Sequence, residues 1–216
     1  MNKNLHHYRK TYTRGCLLEN EISQNPFILF QNWFEEVEKT LNNNPLEVNA
    51  MNVSTIGEDG FPKNRIVLLK EYNKEGFIFY TNYTSEKGHS LEKKPHLCIS
   101  FFWPALERQV IIKGTAQKTS EEMATAYFKS RPRGSQLGAW ASNQSSEIAS
   151  REVLEKCLKE LETKYEGQEI PKPDFWGGFT VIPKDFEFWQ GRPNRLHDRI
   201  YYYKENSDWK FKRLAP

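Results

Sequence analysis

Residues 186–199 read Phe186-Glu187-Phe188-Trp189-Gln190-Gly191-Arg192-Pro193-Asn194-Arg195-Leu196-His197-Asp198-Arg199. The first five of these residues alternate, with Phe186, Phe188 and Gln190 on one face. A period of two predicts a β-strand. Gly191 and Pro193 then end the strand. The segment that follows this strand is therefore expected to lie directly beside aromatic side chains.

The residues after this strand carry a concentration of basic groups. Arg195, His197 and Arg199 follow one another at intervals of two. In an extended segment their side chains point the same way. Two cations and an imidazole on one face repel each other, and an anionic or electron-rich ligand relieves that repulsion. We therefore interpret this stretch as a ligand site. The alternative is a solvated basic strand edge.

Composition limits the class of protein. The chain has 216 residues, of which 38% are hydrophobic and 14% aromatic. That length fits one large domain, or two small ones, with a buried core. The net charge of +3 is too small to indicate nucleic-acid binding by itself. We expect a folded protein with local anion sites.

Cysteine usage and hydropathy bear on location. Cys16, Cys98 and Cys157 are far apart and form no C-x-x-C motif, so neither a disulfide framework nor a metal site is expected. The N-terminus lacks the apolar segment of a signal peptide, and no apolar run is long enough to cross a bilayer. These features predict a soluble protein in the reducing cytoplasm.

Hydrophobic periodicity and turn residues predict a series of helices and strands. A helix starts at Asn25-Pro26, carries an apolar stripe and is stopped by residues 42–45. Further helices are predicted at 85–94, 119–131 and 148–165. Strands are predicted at 48–56, 65–70, 77–81, 97–103, 109–114, 175–181, 185–190, 200–203 and 209–212. No element is predicted for 134–146, which is small and polar.

Short strands joined by tight turns favour a barrel or a sandwich. Strand 65–70 has four apolar residues in a row, so both of its faces are expected to be covered, and it is expected to form a hairpin with 77–81. Residues 1–22 are polar and basic and are interpreted as an N-terminal arm, with a frayed terminus as the alternative. Residues 23–216 are interpreted as a single domain.

The sequence contains no glycine-rich phosphate loop, so cationic side chains must hold any phosphate. The candidates are Arg65, Lys70, Lys87 and the 131–135 segment, where two arginines precede Ser135. For that segment the alternative is a helix C-terminal cap. No Ser-His-Asp or Cys-His arrangement is recognisable. Cations and aromatics with few nucleophiles are typical of a protein that binds an organic cofactor.

Eight ordered motifs together resemble the pyridoxine/pyridoxamine 5′-phosphate oxidase family. They are RIVLLK at 65–70, FYTN at 79–82, ERQV at 107–110, SRPRGSQLGAW at 130–140, FWGGF at 175–179, FWQG at 188–191, RLHDR at 195–199 and RLAP at 213–216. The resemblance implies an α+β, mainly antiparallel split β-barrel with flanking helices. It also implies a homodimer with FMN in two clefts between the subunits.

The resemblance further implies site residues. FMN is expected to be held by Arg65, Ile66, Val67, Leu68, Leu69, Lys70, Tyr80, Thr81, Lys87, Gln109, Gln144, Ser145, Trp189 and Arg199. Substrate is expected to be held by Arg9, Tyr12, Lys70, Tyr127, Arg131, Ser135, Arg195 and His197. Arg195 and His197 are the expected catalytic residues, over the substrate ring. Glu86 departs from the pattern, because the family often has arginine there. It either turns outward or weakens the hold on FMN.

The implied reaction is oxidation of pyridoxine or pyridoxamine 5′-phosphate to pyridoxal 5′-phosphate in vitamin B6 metabolism. Oxygen is the expected electron acceptor and hydrogen peroxide a product, with ammonia released from the amine. Two alternatives remain open. One is another split-barrel flavin reductase, which Arg131 with Ser135 and Arg195 with His197 disfavour. The other is a binding protein that carries FMN or pyridoxal phosphate without turnover.

Overall fold

The computed structural model describes residues 2–41 and 47–216. Its helices are α1 (Pro26–Thr40), α2 (Glu86–Lys93), α3 (Glu121–Ser130), α4 (Arg133–Ala141) and α5 (Arg151–Lys164). Its strands are β1 (Ala50–Ile56), β2 (Pro62–Leu68), β3 (Glu71–Asn73), β4 (Gly76–Asn82), β5 (His96–Trp103), β6 (Arg108–Lys118), β7 (Trp176–Gln190), β8 (Asp198–Glu205) and β9 (Asp208–Leu214). The helix stop predicted at 42–45 lies outside the described residues.

The strands form one sheet in the order β2-β1-β5-β6-β7-β4-β3, and β8 extends it by pairing with β7 and β9. Four of the pairings, β3–β4, β4–β7, β7–β8 and β8–β9, are antiparallel. The α+β composition with antiparallel pairing agrees with the sequence prediction.

By their contacts the residues group into two compact units. The first unit comprises Met1–Asn52, Ile99–Lys113 and Pro183–Pro216. The second unit comprises Val53–Cys98 and Gly114–Ile182. The expected division into an arm, 1–22, and a single domain, 23–216, stays a prediction.

The core of the first unit is built on α1. Asn25 caps this helix, since its side chain accepts a hydrogen bond of 3.0 Å from the Phe27 amide. The apolar stripe buries Phe30 completely, and its ring packs edge-on against Phe101 at 5.2 Å between centroids. Trp33 packs in the same manner against Phe188, also at 5.2 Å. The predicted cap and stripe are therefore confirmed.

In the second unit a separate cluster packs α3, α4 and α5 against the start of β7. Its buried members are Phe128, Leu137, Tyr165, Ile170 and Trp176. Trp176 is only 6% exposed, and its indole meets the Phe128 ring at 5.2 Å. This cluster holds the helices that form one wall of the pocket described below.

Three predictions about strands were wrong. Strand β2 begins at Pro62, and its faces are not both covered, since Ile66 is 67% exposed. The predicted hairpin uses the short β3 instead of β2, with Asn73 paired to Gly76. Residues 175–181 and 185–190 belong to one strand, β7, which continues through Pro183.

The helix predictions also needed correction. Residues 133–141 form α4, which was not predicted because its composition is small and polar. Helix α5 begins at Arg151 rather than at residue 148. Helix α3 is capped by Ser120, whose side chain accepts a hydrogen bond of 3.2 Å from the Met123 amide.

Residues 2–25 contain no helix or strand, yet part of this segment is held in place. Leu17 is 4% exposed, and its amide donates to Asp198 at 3.1 Å. The Arg213 guanidinium binds both carboxylate oxygens of Glu19, at 2.6 and 2.7 Å, and also the Leu17 carbonyl. The alternative of a frayed terminus is therefore wrong for this part of the segment.

Candidate active site

The second unit contains a pocket of about 630 Å³ between β2, β4 and the helices α2 to α4. Its walls are formed by Arg65, Ile66, Val67, Leu68, Lys70, Tyr80, Thr81, Asn82, Lys87, Tyr127, Arg131, Pro132, Ser135, Gly138, Ala139, Ser142, Gln144 and Trp176. Four of these side chains are cationic, and they fall into two groups.

The first group is centred on Lys87, in the first turn of α2. Its ammonium, only 7% exposed, donates to Thr81 Oγ1 at 3.1 Å, Ser85 Oγ at 3.2 Å and Gln144 Oε1 at 2.8 Å. Arg65 on β2 donates to Thr55 Oγ1 at 2.8 Å and to the Val53 carbonyl at 3.2 Å. Within the described residues, both cations therefore have neutral oxygen partners and no ion pair.

Burial outweighs nearby negative charge at these two cations. Burial and, to a lesser extent, the neighbouring Arg65 lower the pKa of Lys87 to about 8, against a smaller opposing effect of Glu86. Burial also lowers the pKa of Arg65. A buried cation without an anion is costly, and a phosphate removes that cost through charge-assisted hydrogen bonds. The first group therefore fits a phosphate ester.

Glu86 does not belong to this pocket wall. Its carboxylate forms an ion pair with Lys63 on β2, and both side chains are 44% exposed. The departure from the family pattern at this position therefore places no carboxylate among the pocket-lining side chains. Of the two outcomes considered from the sequence, Glu86 takes the outward one.

The second cationic group is centred on Arg131, which joins α3 to α4. Its guanidinium carbon lies 4.8 Å from the centre of the Trp176 ring, a cation–π geometry. Its Nη1 is buried and has no hydrogen-bond partner among the described residues. Burial lowers the pKa of Arg131. Lys70 and Ser135 line the same pocket.

Arg131 is the C-cap residue of α3 through its backbone, whereas the side chain of Arg133 caps a different helix, α5. Arg133 Nη1 donates to the Gln168 carbonyl at 2.9 Å, and its Nη2 donates to the Tyr165 carbonyl at the end of α5. Cations stabilise the carbonyl end of a helix. The Arg131 guanidinium takes no part in capping among the hydrogen bonds of the described residues, and it lines the pocket.

Stacked aromatic rings form the wall beside Arg131. Tyr80 stacks on Tyr127 at 4.0 Å and on Trp176 at 5.5 Å between centroids. Tyr80 is paired with Gly178 on β7, and a Cβ on that glycine would lie 2.8 Å from the Tyr80 ring. The absence of a side chain at Gly178 therefore lets Tyr80 lie flat against its neighbours.

The first unit holds a second set of predicted site residues around His197. Trp189 and His197 are 4.7 Å apart between centroids, and Tyr12 lies 5.6 Å from Trp189 and 5.7 Å from His197. His197 Nδ1 accepts a hydrogen bond of 3.0 Å from the Arg192 amide. In the neutral imidazole this contact leaves the proton on Nε2.

The sequence predicted that Arg195, His197 and Arg199 share one extended face. In the structure these three residues of the first unit do not. Residues Pro193–Arg195 form a 3₁₀ turn, and Asn194 and Arg195 have φ of 57° and 63°. Arg195 is exposed there. Arg199, in β8, is already paired with Glu187 at 2.9 and 3.1 Å. The repulsion inferred from spacing alone is therefore absent.

Other predicted residues lie away from these groups. Leu69 is 4% exposed in the core, and Ser145, at φ 74°, does not line the pocket. Gln109 is half-buried on β6 in the first unit. Arg9 is exposed, and its Nε donates to the His6 carbonyl at 3.1 Å.

Sequence reasoning missed six residues of the pocket wall. They are Asn82, Pro132, Gly138, Ala139, Ser142 and Trp176. Gly138, Ala139 and Ser142 follow Ser135 at helical spacing, a signal that becomes visible only once α4 is recognised. Asn82 and Trp176 stood inside quoted motifs, and their register partners are each other across β4 and β7.

Comparison with known proteins decides the family. Residues 34–165 match the family model described as pyridoxamine 5′-phosphate oxidase. The chain belongs to the pyridoxamine 5′-phosphate oxidase family. Residues 176–216 match a second model, the pyridoxine 5′-phosphate oxidase C-terminal dimerisation region. None of the described helices has both the length and the apolar character needed to cross a membrane.

Relatives cover the whole chain. A pyridoxine/pyridoxamine 5′-phosphate oxidase of Christiangramia forsetii is 55% identical over 216 residues, covering 100% of both chains. One of Flavobacterium johnsoniae is 57% identical, covering 98% of both. The solved structure of PhzG from Burkholderia lata, in complex with tetrahydrophenazine-1-carboxylic acid, superposes with a TM-score of 0.84 at 27% identity, over 93% of this chain and 98% of that one. The split β-barrel prediction is thereby confirmed.

Proposed function

We propose that this protein is an FMN-dependent oxidase that converts pyridoxine 5′-phosphate or pyridoxamine 5′-phosphate to pyridoxal 5′-phosphate. Oxygen accepts the electrons and leaves as hydrogen peroxide, and the amine also yields ammonia. The observation that carries the proposal is a single pocket with two cationic groups, in a chain 55% identical to oxidases of this name over its full length. Cofactor and substrate each carry one phosphate.

The first cationic group fits the FMN phosphate. Arg65 and Lys87 would bind its oxygens, assisted by Thr81 and Gln144, which already contact Lys87. Residues 66–70 and Tyr80 would border the rest of the cofactor. Bound FMN supplies the two-electron acceptor that side chains lack. Leu69 and Ser145 would contribute to cofactor binding through their backbones.

The second cationic group fits the substrate phosphate. Arg131 offers the unpartnered Nη1, and a guanidinium can meet phosphate through two hydrogen bonds. Ser135 lies in the first turn of α4, where backbone amides also favour anions. Lys70 and Tyr127 complete the set. A substrate bound here is oriented by its phosphate, and orientation alone can contribute about 7–11 kcal/mol to rate.

The remaining proposed residues lie in the first unit and would act across a homodimer. Gln109, Trp189 and Arg199 are proposed for FMN, and Arg195, His197, Arg9 and Tyr12 for the substrate. The match of residues 176–216 to a dimerisation region supports an assembly in which these residues serve the partner's pocket. His197, with the proton on Nε2, would donate a hydrogen bond to the substrate ring or its substituents. It need not be an obligatory base.

We also propose a cytoplasmic location. Cys16 and Cys157 are free thiols, which a reducing compartment maintains. Fractionation of cells, with the protein followed by immunoblot, tests this directly. Recovery with the membrane or secreted fraction would contradict it.

One assay tests the function. The purified protein, saturated with FMN, is mixed with pyridoxine 5′-phosphate under air, and peroxide and pyridoxal 5′-phosphate are both measured. We expect equal amounts of the two products. Bound flavin with no product would favour a carrier, and turnover only with a reduced nicotinamide would favour a reductase. Analytical ultracentrifugation should show a dimer, and a fully active monomer would refute the shared site.

A further inference from the structure

Glu107 is a buried carboxylate in the first unit, in the turn between β5 and β6. Its side chain is 2% exposed, and its φ of 57° lies in the left-handed region that residues with a Cβ rarely adopt. Its carbonyl accepts a hydrogen bond of 2.8 Å from the Gly191 amide. Burial and backbone strain at one residue persist only where surrounding contacts compensate for them.

Among the described residues, the partners of the Glu107 carboxylate all come from the N-terminal segment. Glu107 Oε2 accepts hydrogen bonds from the backbone amides of Thr13 at 2.7 Å and Arg14 at 3.0 Å. Glu107 Oε1 is paired with Lys10 Nζ at 3.0 Å. Burial raises the pKa of the Glu107 carboxyl, but these donors outweigh it and keep the pKa below its ordinary value. The carboxylate therefore remains ionised at neutral pH and binds residues 10–14 through these contacts.

Tyr12 lies within residues 10–14. Its ring contacts Trp189 and His197 at 5.6 and 5.7 Å between centroids. It also fills the space above Gly191, where a Cβ would lie 2.8 Å from Tyr12 Cγ. The two residues that follow Tyr12 donate their amides to the Glu107 carboxylate, so this carboxylate fixes the backbone beside Tyr12 and with it the position of the ring.

We propose that Glu107 is a positioning residue that clamps residues 10–14 and thereby keeps Tyr12 packed against His197. The inference rests on the proposed function, because that function assigns His197 to the substrate. It adds a residue that would not touch substrate or cofactor. If Glu107 acts through Tyr12, loss of the clamp and loss of the Tyr12 ring have the same consequence for turnover.

The first test needs no activity. Trypsin cleaves after Lys10 and Arg14, inside the clamped segment. In Glu107→Gln an amide nitrogen replaces one acceptor oxygen, so at least one of the three contacts becomes repulsive. We expect limited trypsin digestion of the FMN-loaded protein to cut this segment roughly tenfold faster or more, as read by mass spectrometry. Cleavage at the parent rate would overturn the clamp.

A matched control is Asp185→Asn. Asp185 is also a buried carboxylate of the first unit, 3% exposed and paired with Lys113 at 3.0 Å. It has no contact with residues 10–14 among the hydrogen bonds and ion pairs of the described residues. We expect this variant to keep the parent cleavage rate. Equal acceleration in both variants would mean general loosening and would also overturn the proposal.

A second pair of variants leaves Glu107 intact, in case Glu107→Gln does not fold. Thr13→Pro removes the amide that donates to Glu107 at 2.7 Å, since proline has no N–H. Thr11→Pro places the same residue where the described structure shows no amide hydrogen bond. We expect faster cleavage after Arg14 in Thr13→Pro alone. The same rate in both proline variants would contradict the clamp.

The second test asks whether Glu107 acts through Tyr12. kcat/KM for pyridoxine 5′-phosphate is measured in Glu107→Gln, Tyr12→Ala and the double variant, with flavin content checked in each. We expect the double variant to match Tyr12→Ala alone, because residues that act as one unit are non-additive. Multiplying effects would overturn the proposal. If the parent itself does not oxidise the substrate, the proposed function fails while the proteolysis still decides the clamp.

Discussion

The Arg131 guanidinium lies over the Trp176 indole, 4.8 Å from the ring centre, with one buried nitrogen that has no partner among the described residues. The indole holds the cation in position without neutralising it. A cation held in this way remains able to bind an anion.

Arg131→Ala tests whether this cation binds the substrate phosphate. Losing one charge-assisted contact costs about 1.5–3 kcal/mol, roughly 10- to 150-fold in kcat/KM for pyridoxine 5′-phosphate. Unphosphorylated pyridoxine has no such contact to lose, so the preference for the phosphorylated substrate should shrink while FMN stays bound. Both kcat/KM values are measured in parent and variant. If stability falls but their ratio is unchanged, Arg131 has only a packing role.

The lowered pKa of Lys87 predicts how FMN binding depends on pH. The protein without FMN holds this pKa at about 8, so the ammonium loses its proton as pH rises through that value. A phosphate dianion binds the protonated form, so FMN affinity should fall above pH 8, by up to about tenfold per pH unit. Titration of the FMN-free protein between pH 7 and 9.5 measures this.

Two controls accompany that titration. Lys87→Met should bind FMN more weakly, with little pH dependence over the same range. Riboflavin, which lacks the phosphate, should show no loss linked to Lys87. A parent affinity that stays constant up to pH 9.5 would mean that Lys87 does not meet the phosphate.

The same pKa shift predicts stability. Because the folded-state pKa is depressed from 10.5, the contribution of Lys87 to stability is present above its unfolded pKa and is lost as pH falls through about 8. In the FMN-free protein, Lys87→Met should therefore raise the stability to unfolding at pH 7 and raise it less at pH 10. Thermal unfolding at the two pH values measures the difference. An equal gain at both would contradict a buried charged Lys87.

The Glu86–Lys63 pair predicts a small effect on FMN. The Glu86 carboxylate is paired with Lys63, and exposed charges act weakly through solvent. Glu86→Gln should therefore change the FMN dissociation constant less than about threefold. Glu86→Arg should likewise give only a modest tightening, reduced by salt. A tightening of tenfold or more by Glu86→Arg, persisting at high salt, would mean that this side chain reaches the phosphate.

His197 predicts a separation between turnover and flavin content. Its Nδ1 is held by the Arg192 amide, so Nε2 is the atom available to substrate. His197→Ala should lower kcat/KM more than it lowers FMN occupancy, measured by flavin absorbance of the purified protein. Purification mainly as protein without flavin would show that His197 supports the cofactor instead.

Local features of this protein could be predicted from the sequence because their causes lie within a few residues. Helix α1 follows from Asn25-Pro26 and an apolar period, and α2 from a serine cap at Ser85, whose side chain accepts from the Gly88 amide. The β8–β9 hairpin follows from the turn between Glu205 and Asp208. The cations of the candidate site could also be singled out, because without a phosphate loop side chains must bind any phosphate.

Only the tertiary structure decided which of those cations are available. Lys87 meets Gln144, 57 residues away, whereas Arg199 is already paired with Glu187 and Glu86 with Lys63. The wall formed by α4 could not be predicted either, because small residues give no apolar period. Their role is visible only from the pocket that they line. Ion pairing and cavity shape depend on distances between residues remote in sequence, and no local pattern records those distances.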